Sequence, residues 1–353
     1  MTEHEKYMQR CIELAANGLG NVAPNPLVGA VLVKDERIIG EGFHQQYGKA
    51  HAEVNAVNSF LNRSGNDATE LSKSTLYVNL EPCNHKGKTP PCTELIIRYK
   101  IREVIIGCAD PNKNVKSNGS KTLTDSGCNV IMGVLKKKSE ELNRRFIVYH
   151  TKNRPYIILK YAQSRDGFMA PEKNSGKETW LTNKWSRKLV HKWRSEEQAI
   201  MIGTNTALTD NPLLNARYWN GKNPLRILMD CKLRVPASLN IFNTDATTLV
   251  FNESKNQIAD NIEFVKINFD DSLVEMLQIL HSKEIQSVII EGGAKLLQSF
   301  IEKNLWDEAR VFTVDKYFVE GIKAPGIPGG QISEENIAGD ELAVFRNISS
   351  ASL

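Results

Sequence analysis

The chain has 353 residues, long for a single domain, so two domains are the starting expectation. Hydrophobic residues make up 41% and charged residues 24%, an ordinary globular balance that excludes intrinsic disorder, a collagen-like repeat and a disulfide mini-scaffold. The 45 Lys and Arg nearly match the 41 Asp and Glu, and a net charge of +4 is too small to argue for a nucleic-acid or membrane surface.

The mixed-charge start Met1-Thr2-Glu3-His4-Glu5-Lys6 lacks the apolar core of a signal peptide. No apolar run approaches the ~18 residues of a membrane span, and a cytoplasmic protein is expected. Helical periodicity over 4–17 stops at Asn17-Gly18, read as a C-terminal cap. Strands 28–33 and 38–42 are separated by Lys34-Asp35-Glu36-Arg37 and predict a hairpin. Helix 51–63, strand 75–79, helix 93–100, strand 103–108, helix 117–126 and strand 129–131 follow, and a charged helix opens at Lys136. A second alternating pattern begins at Pro155: strand 156–162, helix 183–195, strands 198–202, 225–229 and 247–251, helix 271–281, strand 286–290, helix 293–303 and strand 308–314. The class is α/β in both halves. The boundary is expected within 146–154, giving units 1–146 and 147–353 with no flexible linker.

Of six cysteines, Cys11, Cys108, Cys128 and Cys231 read as inert thiols of a reducing compartment. Cys83 and Cys92 read differently. His51-Ala52-Glu53 opens a helical pattern, and Glu81-Pro82-Cys83 and then Cys92 follow. One imidazole and two thiolates make three zinc ligands; a structural zinc would need a fourth protein ligand, whereas a catalytic one leaves that place to water. With Glu53 as proton shuttle, the set suggests metal-assisted hydrolysis of the kind zinc deaminases perform. One geometric condition applies. On a regular helix residues 51 and 53 point about 200° apart, so they converge only in an irregular first turn.

Asn25-Pro26-Leu27-Val28-Gly29, His51-Ala52-Glu53, Glu81-Pro82-Cys83, Lys88-Thr89-Pro90-Pro91-Cys92 and Asp110-Pro111-Asn112 together resemble the bifunctional deaminase/reductase family of riboflavin biosynthesis. The resemblance implies a cytidine-deaminase-like three-layer α/β/α domain that removes an amine from a diaminopyrimidinone ribosyl phosphate. It implies zinc on His51, Cys83 and Cys92, proton transfer by Glu53, and substrate contacts from Asn25, His44, His85 and Lys88. Read alone, Asn25 is also a turn residue before Pro26, His44 and His85 are also surface histidines, and Lys88 is also a solvated loop lysine.

The second half has no Gly-x-Gly-x-x-Gly. It has Val288-Ile289-Ile290 followed by Glu291-Gly292-Gly293-Ala294 and an amphipathic helix, which is either a phosphate-accepting turn or a tight structural one. Lys160-Tyr161-Ala162, Ser164-Arg165-Asp166-Gly167, Trp180-Leu181-Thr182, Arg194, Gly203-Thr204-Asn205-Thr206, Asp210-Asn211-Pro212 and Arg217 resemble the reductase half of the same family. That likeness implies a dihydrofolate-reductase-like α/β fold. It implies NADPH contacts from Ala162, Trp180, Thr206, Asp210 and Gly293, and substrate contacts from Glu178, Arg194, Leu214, Arg217 and Glu291. Two arginines can grip a phosphate, although Arg194 and Arg217 could equally be surface ion-pair partners and Trp180 a packing residue. Arg165, Phe168, Asn205 and Asn211 depart from the family's usual residues. The expected partners are phosphorylated pyrimidines, with no nucleic acid and no membrane, and a homo-oligomer is allowed. Competing readings are a nucleic-acid deaminase with a C-terminal binding module, and a scaffold with a structural zinc.

Overall fold

A computed structural model describes residues 1–86, 90–112, 118–171 and 181–348. The chain divides into two compact units, Met1–Asn153 and Arg154–Leu353.

In the first unit, α1 (Glu3–Ala16) starts at Thr2. The Thr2 hydroxyl accepts from the Glu5 N–H while the Glu5 carboxylate accepts from the Thr2 N–H, a capping box. The helix stops where expected but for another reason. Neither Asn17 nor Gly18 is left-handed, and a Cβ on Gly18 would come within 2.7 Å of the His44 carbonyl, so the glycine permits a close approach. The predicted hairpin forms between β1 (Gly29–Lys34) and β2 (Arg37–Phe43), with Asp35 and Glu36 both at positive φ, as a two-residue turn requires.

Then follow α2 (Ala52–Ser64), β3 (Thr75–Leu80), α3 (Cys92–Arg98), β4 (Glu103–Cys108), α4 (Gly119–Asp125), β5 (Asn129–Met132), α5 (Lys136–Leu142) and α6 (Arg144–Lys152). The sheet order is β2-β1-β3-β4-β5, with β3, β4 and β5 parallel. Alternate residues of β1 feed opposite faces. Ala30 and Leu32 join Ala56, Phe60, Ile96 and Leu123, while Val31 and Val33 join Tyr7, Met8 and Leu14. The expected division at 146/147 falls inside α6, which buries Phe146, Ile147 and Val148; the compact units part after Asn153, whose left-handed backbone ends that helix.

The second unit comprises β6 (Tyr156–Ser164), β7 (Phe168–Pro171), α7 (Lys184–Glu196), β8 (Ala199–Gly203), α8 (Thr204–Asp210), β9 (Leu225–Met229), β10 (Thr248–Asn252), β11 (Gln257–Ala259), β12 (Ile262–Lys266), α9 (Ser272–Ser282), β13 (Ser287–Ile290), α10 (Ala294–Glu302), β14 (Glu308–Val314), β15 (Gly321–Lys323), β16 (Gly330–Ile337) and β17 (Asp340–Arg346). Its main sheet runs β11-β12-β10-β9-β8-β13-β6-β14-β17-β16, parallel from β12 through β14. β7 and β15 form a separate ribbon. β13 is buried throughout and β8 up to Gly203, which is why these two central strands read as apolar runs. Their apolar side chains pack with Met276 and Leu280 of α9 and Leu297 and Phe300 of α10.

Candidate active sites

In the first unit the metal-type side chains sit just beyond strand β3 and at two helix starts. His51 is the residue before α2, with extended backbone (φ −72°, ψ 168°), and Glu53 is the second residue inside the helix. That meets the irregular-turn condition, since only one of the two lies on helical geometry. Cys92 is the first residue of α3, and Cys83 lies in the loop three residues after β3. The His51 Nδ1 lies 3.5 Å from Cys83 Sγ and 3.4 Å from Cys92 Sγ. The Cys92 backbone N–H donates to Cys83 Sγ at 3.3 Å. Hydrogen bonding from Cys92 and His51 brings the Cys83 thiol down to about 4 against the effect of burial, while the adjacent Cys83 sulfur and burial push the Cys92 thiol up. Glu53 is 3% exposed; burial and then the Cys83 thiolate raise its carboxyl above the ordinary range, and it shares a hydrogen bond with Cys92.

His44 is buried edge-on to His51, ring centroids 5.4 Å apart. Its Nδ1 is 3.0 Å from the Ala50 carbonyl, which requires an N–H there, so Nε2 accepts from Asn25 Nδ2 at 3.0 Å. Burial lowers its pKa, so the ring is neutral. The structure therefore brings Asn25 and His44 to the metal-type cluster as a hydrogen-bonded pair. His85 is exposed, two residues beyond Cys83 in the same loop. Lys88 lies outside the described residues.

Sequence reasoning misses the side chains that fix this site. Asn79 and Asn143 both grip the backbone of Leu27, ordering the segment that carries Asn25. Buried Glu81 accepts from Asp110 N, Ser120 N and Ser120 Oγ, tying the Cys83 loop to α4. The legible signals are Asn79, a polar residue between Val78 and Leu80, and Glu81, which opens the Glu81-Pro82-Cys83 motif.

In the second unit the expected residues collect at the carboxyl ends of the neighbouring parallel strands β6, β13 and β8. Ligands of parallel sheets bind at that edge. Ala162 is on β6, Glu291 and Gly293 follow β13, and Thr206 follows β8. A Cβ on Gly293 would come within 3.4 Å of Thr206 Oγ1, so the two turns face each other. Gly293 begins α10 with no side-chain cap, leaving the first N–H groups of the helix to other partners. Asp210 is exposed at the end of α8. Glu178 and Trp180 lie outside the described residues.

Arg194, expected to contact the substrate, is also held by groups of its own unit. Its Nε and Nη2 donate to Glu291 at 3.1 and 2.8 Å, and Nη1 donates to the Asn215 carbonyl at 3.2 Å. Lys160, which opens the Lys160-Tyr161-Ala162 match but is given no contact by it, adds its Nζ 3.6 Å from the same carboxylate. Burial pushes the Glu291 carboxyl up, but Arg194 and Lys160 outweigh it and bring it to about 2. Arg217 is exposed, donates to Asn215 Oδ1 and stacks on Tyr218. Leu214 is buried at φ +50°. His191, 3% exposed, is also in this neighbourhood, brought down to about 4 by burial and then by Arg194 and Arg217.

Two family models match the chain: the cytidine and deoxycytidylate deaminase zinc-binding region over residues 1–108, and the RibD C-terminal domain over 155–333. A riboflavin biosynthesis protein RibD of Aquifex aeolicus is 38% identical over 356 residues, covering 97% of each chain. The chain belongs to the RibD family. Another RibD, from Bacillus amyloliquefaciens, is 38% identical over 98% of this chain and 90% of its own. A Thermotoga maritima crystal structure of a diaminohydroxyphosphoribosylaminopyrimidine deaminase/5-amino-6-(5-phosphoribosylamino)uracil reductase superposes with TM-score 0.89 at 38% identity, covering 98% of this chain and 99% of that one. Acinetobacter baumannii RibD gives 0.88 at 30% identity, covering 98% of each.

As a RibD, the chain is a bifunctional deaminase and reductase of riboflavin biosynthesis, using zinc and NADPH. The donor set fits zinc. Tetrahedral bonds of about 2.3 Å to sulfur and 2.0 Å to nitrogen separate such donors by roughly 3.5 Å, the spacing found among His51, Cys83 and Cys92, whose ligand atoms all lie within 4.8 Å of one another. The open backbone at Gly293 and the uncapped start of α10 likewise fit the phosphates of a dinucleotide. Of the family departures, Arg165 pairs with Glu341 at the surface and Asn205 is exposed, while Phe168 is half-buried on β7.

Proposed function

We propose that the first unit, over the expected 1–146 and on to Asn153, hydrolyses the amine of a diaminopyrimidinone ribosyl phosphate, and that the second unit reduces the ribosyl group of the resulting uracil to ribityl. The observation that carries this is the convergence of His51, Cys83 and Cys92 with buried Glu53 in a chain that also carries the reductase sheet. Zinc held by those three side chains supplies Lewis-acid activation of water. Glu53 holds the travelling proton on a carboxylate oxygen, and its raised pKa suits a group that both takes and returns a proton. Neutral His44 orients Asn25 toward the pyrimidine, and His85 and Lys88 receive the phosphorylated sugar.

In the second unit NADPH supplies the hydride. Ala162, Trp180, Thr206, Asp210 and Gly293 position it, and the Gly293 turn receives phosphate oxygens on backbone N–H groups. Glu291, held by Arg194 and Lys160, accepts from ribosyl hydroxyls together with Glu178; Arg217 and the Leu214 backbone receive the substrate's phosphate end. Six reduced cysteines fit a cytoplasmic enzyme. Its partners in this reading are small phosphorylated pyrimidines rather than nucleic acid or membrane, and a homo-oligomer is compatible with it. Among the described residues no helix is long and apolar enough to cross a membrane.

The test supplies zinc-loaded protein with the phosphorylated diaminopyrimidinone and NADPH, following ammonia release and NADPH oxidation separately. Both are expected, ammonia first. No ammonia from zinc-loaded protein would refute the reading.

A further inference from the structure

Arg226 is a buried cation of the second unit with an unusual set of partners. It lies on β9, is wholly buried, and among the described residues makes no hydrogen bond to a carboxylate. Instead its guanidinium donates to the Asn240 carbonyl at 3.1 Å, to Asn243 Oδ1 at 2.7 Å, to the Asn243 carbonyl at 2.5 Å and to the Ala246 carbonyl. Burying a guanidinium is costly unless its donors are met, and here one short segment meets both Nη groups, while Nε has no hydrogen-bond partner among the described residues. Arg226 therefore fixes the backbone of residues 240–246.

That segment in turn grips another. Asn240 N donates to Asn211 Oδ1 at 2.7 Å and Asn240 Nδ2 donates to the Asn211 carbonyl at 2.8 Å. Asp245 Oδ2 accepts from Asn215 Nδ2 at 3.2 Å, and the Asp245 carbonyl accepts from Asn223 Nδ2, whose Oδ1 accepts the Ala216 N–H. Asn211 and Leu214 are both at positive φ, +41° and +50°. A left-handed leucine persists only where its surroundings over-determine it. The Asn215 carbonyl and Oδ1 then accept from Arg194 and Arg217.

We propose that Arg226 is a positioning residue of the reductase: through 240–246 it holds the 211–217 loop in the form that presents Leu214 and Arg217 to the substrate. This rests on the reading of Leu214 and Arg217 as substrate contacts. It also gives Asn211 a task, because its side-chain oxygen and left-handed backbone are both used in the grip.

The test is steady-state reduction by the full-length protein, with the phosphoribosylaminouracil and NADPH varied in turn, deaminase turnover as an internal control and thermal melting alongside. Asn240→Ala removes the Nδ2 bond to Asn211 at an exposed position. Its KM for the uracil is expected to rise about five- to tenfold, with kcat, the KM for NADPH and deamination unchanged. Arg226→Lys keeps the charge but cannot span the four acceptors, and it is expected to raise that KM further. If Arg226→Lys fails to fold, Asn240→Ala decides. An unchanged KM in Asn240→Ala, or kcat and both KM values moving together with a lowered melting point, overturns the proposal. Arg217→Ala separates the two layers. If it raises the KM while Asn240→Ala does not, the positioning role alone fails; if it leaves the KM unchanged, the contact reading fails and the positioning role with it.

Discussion

The two sites are built on opposite plans. In the first unit three donor atoms and one carboxyl make the chemistry, and each comes from a residue type whose identity nearly declares its task. In the second unit no single residue does so. Glu291 is defined by the Arg194 and Lys160 cations around it, and Arg217 is tied to Asn215. A metal site is specified by what its residues are, whereas a site at the edge of a parallel sheet is specified by how a network holds them. Substitutions should therefore act as a switch in the first unit and as a graded loss in the second.

The largest effect is expected from Cys92→Ser. Losing a buried thiolate ligand should empty the metal site and bring ammonia release to background, with zinc content measured on the same sample. NADPH oxidation on the deaminated uracil should be untouched, and a parallel loss there would erase the contrast. Next comes Glu53→Gln, which keeps the ligands. Ammonia release should fall about 10²- to 10⁴-fold at full zinc content; a loss of zinc instead would make Glu53 a structural residue.

On the reductase side, Glu291→Gln strips the charge that Arg194 and Lys160 enclose. The kcat/KM of NADPH-dependent reduction should drop about ten- to hundredfold, with deamination intact. A collapse to background would mean that this site too hinges on one group.

The smallest effect concerns His191. Its folded pKa of about 4 lies below the ordinary 6.5, because burial and the nearby Arg194 and Arg217 favour the neutral ring over the partial opposition of Glu291. Below 6.5 the unfolded chain binds the proton and the folded one does not, so stability should fall as pH drops from 6.5 toward 4. Urea unfolding at stepped pH should show a shallower slope in that window for His191→Gln. An unaltered slope would locate the acid sensitivity elsewhere.

Much of the fold is legible in the amino-acid sequence. Strands 103–108, 225–229 and 308–314 can be placed to the residue, since buried strands are rich in apolar and β-branched residues, here interrupted only by single cations such as Arg226 and Arg310. β16 escapes such a reading because its residues from Gln331 to Asn336 are all exposed and carry no apolar period. α8 follows β8 without a break and buries only Ala207, so no apolar stripe marks it as a helix. The zinc ligands are legible as residue types, and the irregular start of α2 supplies the geometry that helical periodicity cannot. The pairing of Arg194 with Glu291 escapes the sequence because the two lie 97 residues apart and only the sheet brings them together. Buried supports such as Asn79, Glu81 and Arg226 show in sequence at most as residue types, and their meaning lies in backbone groups that pattern does not show.

The most direct measurement of two independent chemistries in one chain is chelation. Zinc is stripped from the full-length protein, and ammonia release from the phosphorylated diaminopyrimidinone is compared with NADPH oxidation on the already deaminated uracil. Ammonia release should vanish and return on adding zinc, while the second rate stays within about twofold. Deamination that survives metal removal, or reduction that disappears with it, would contradict the account.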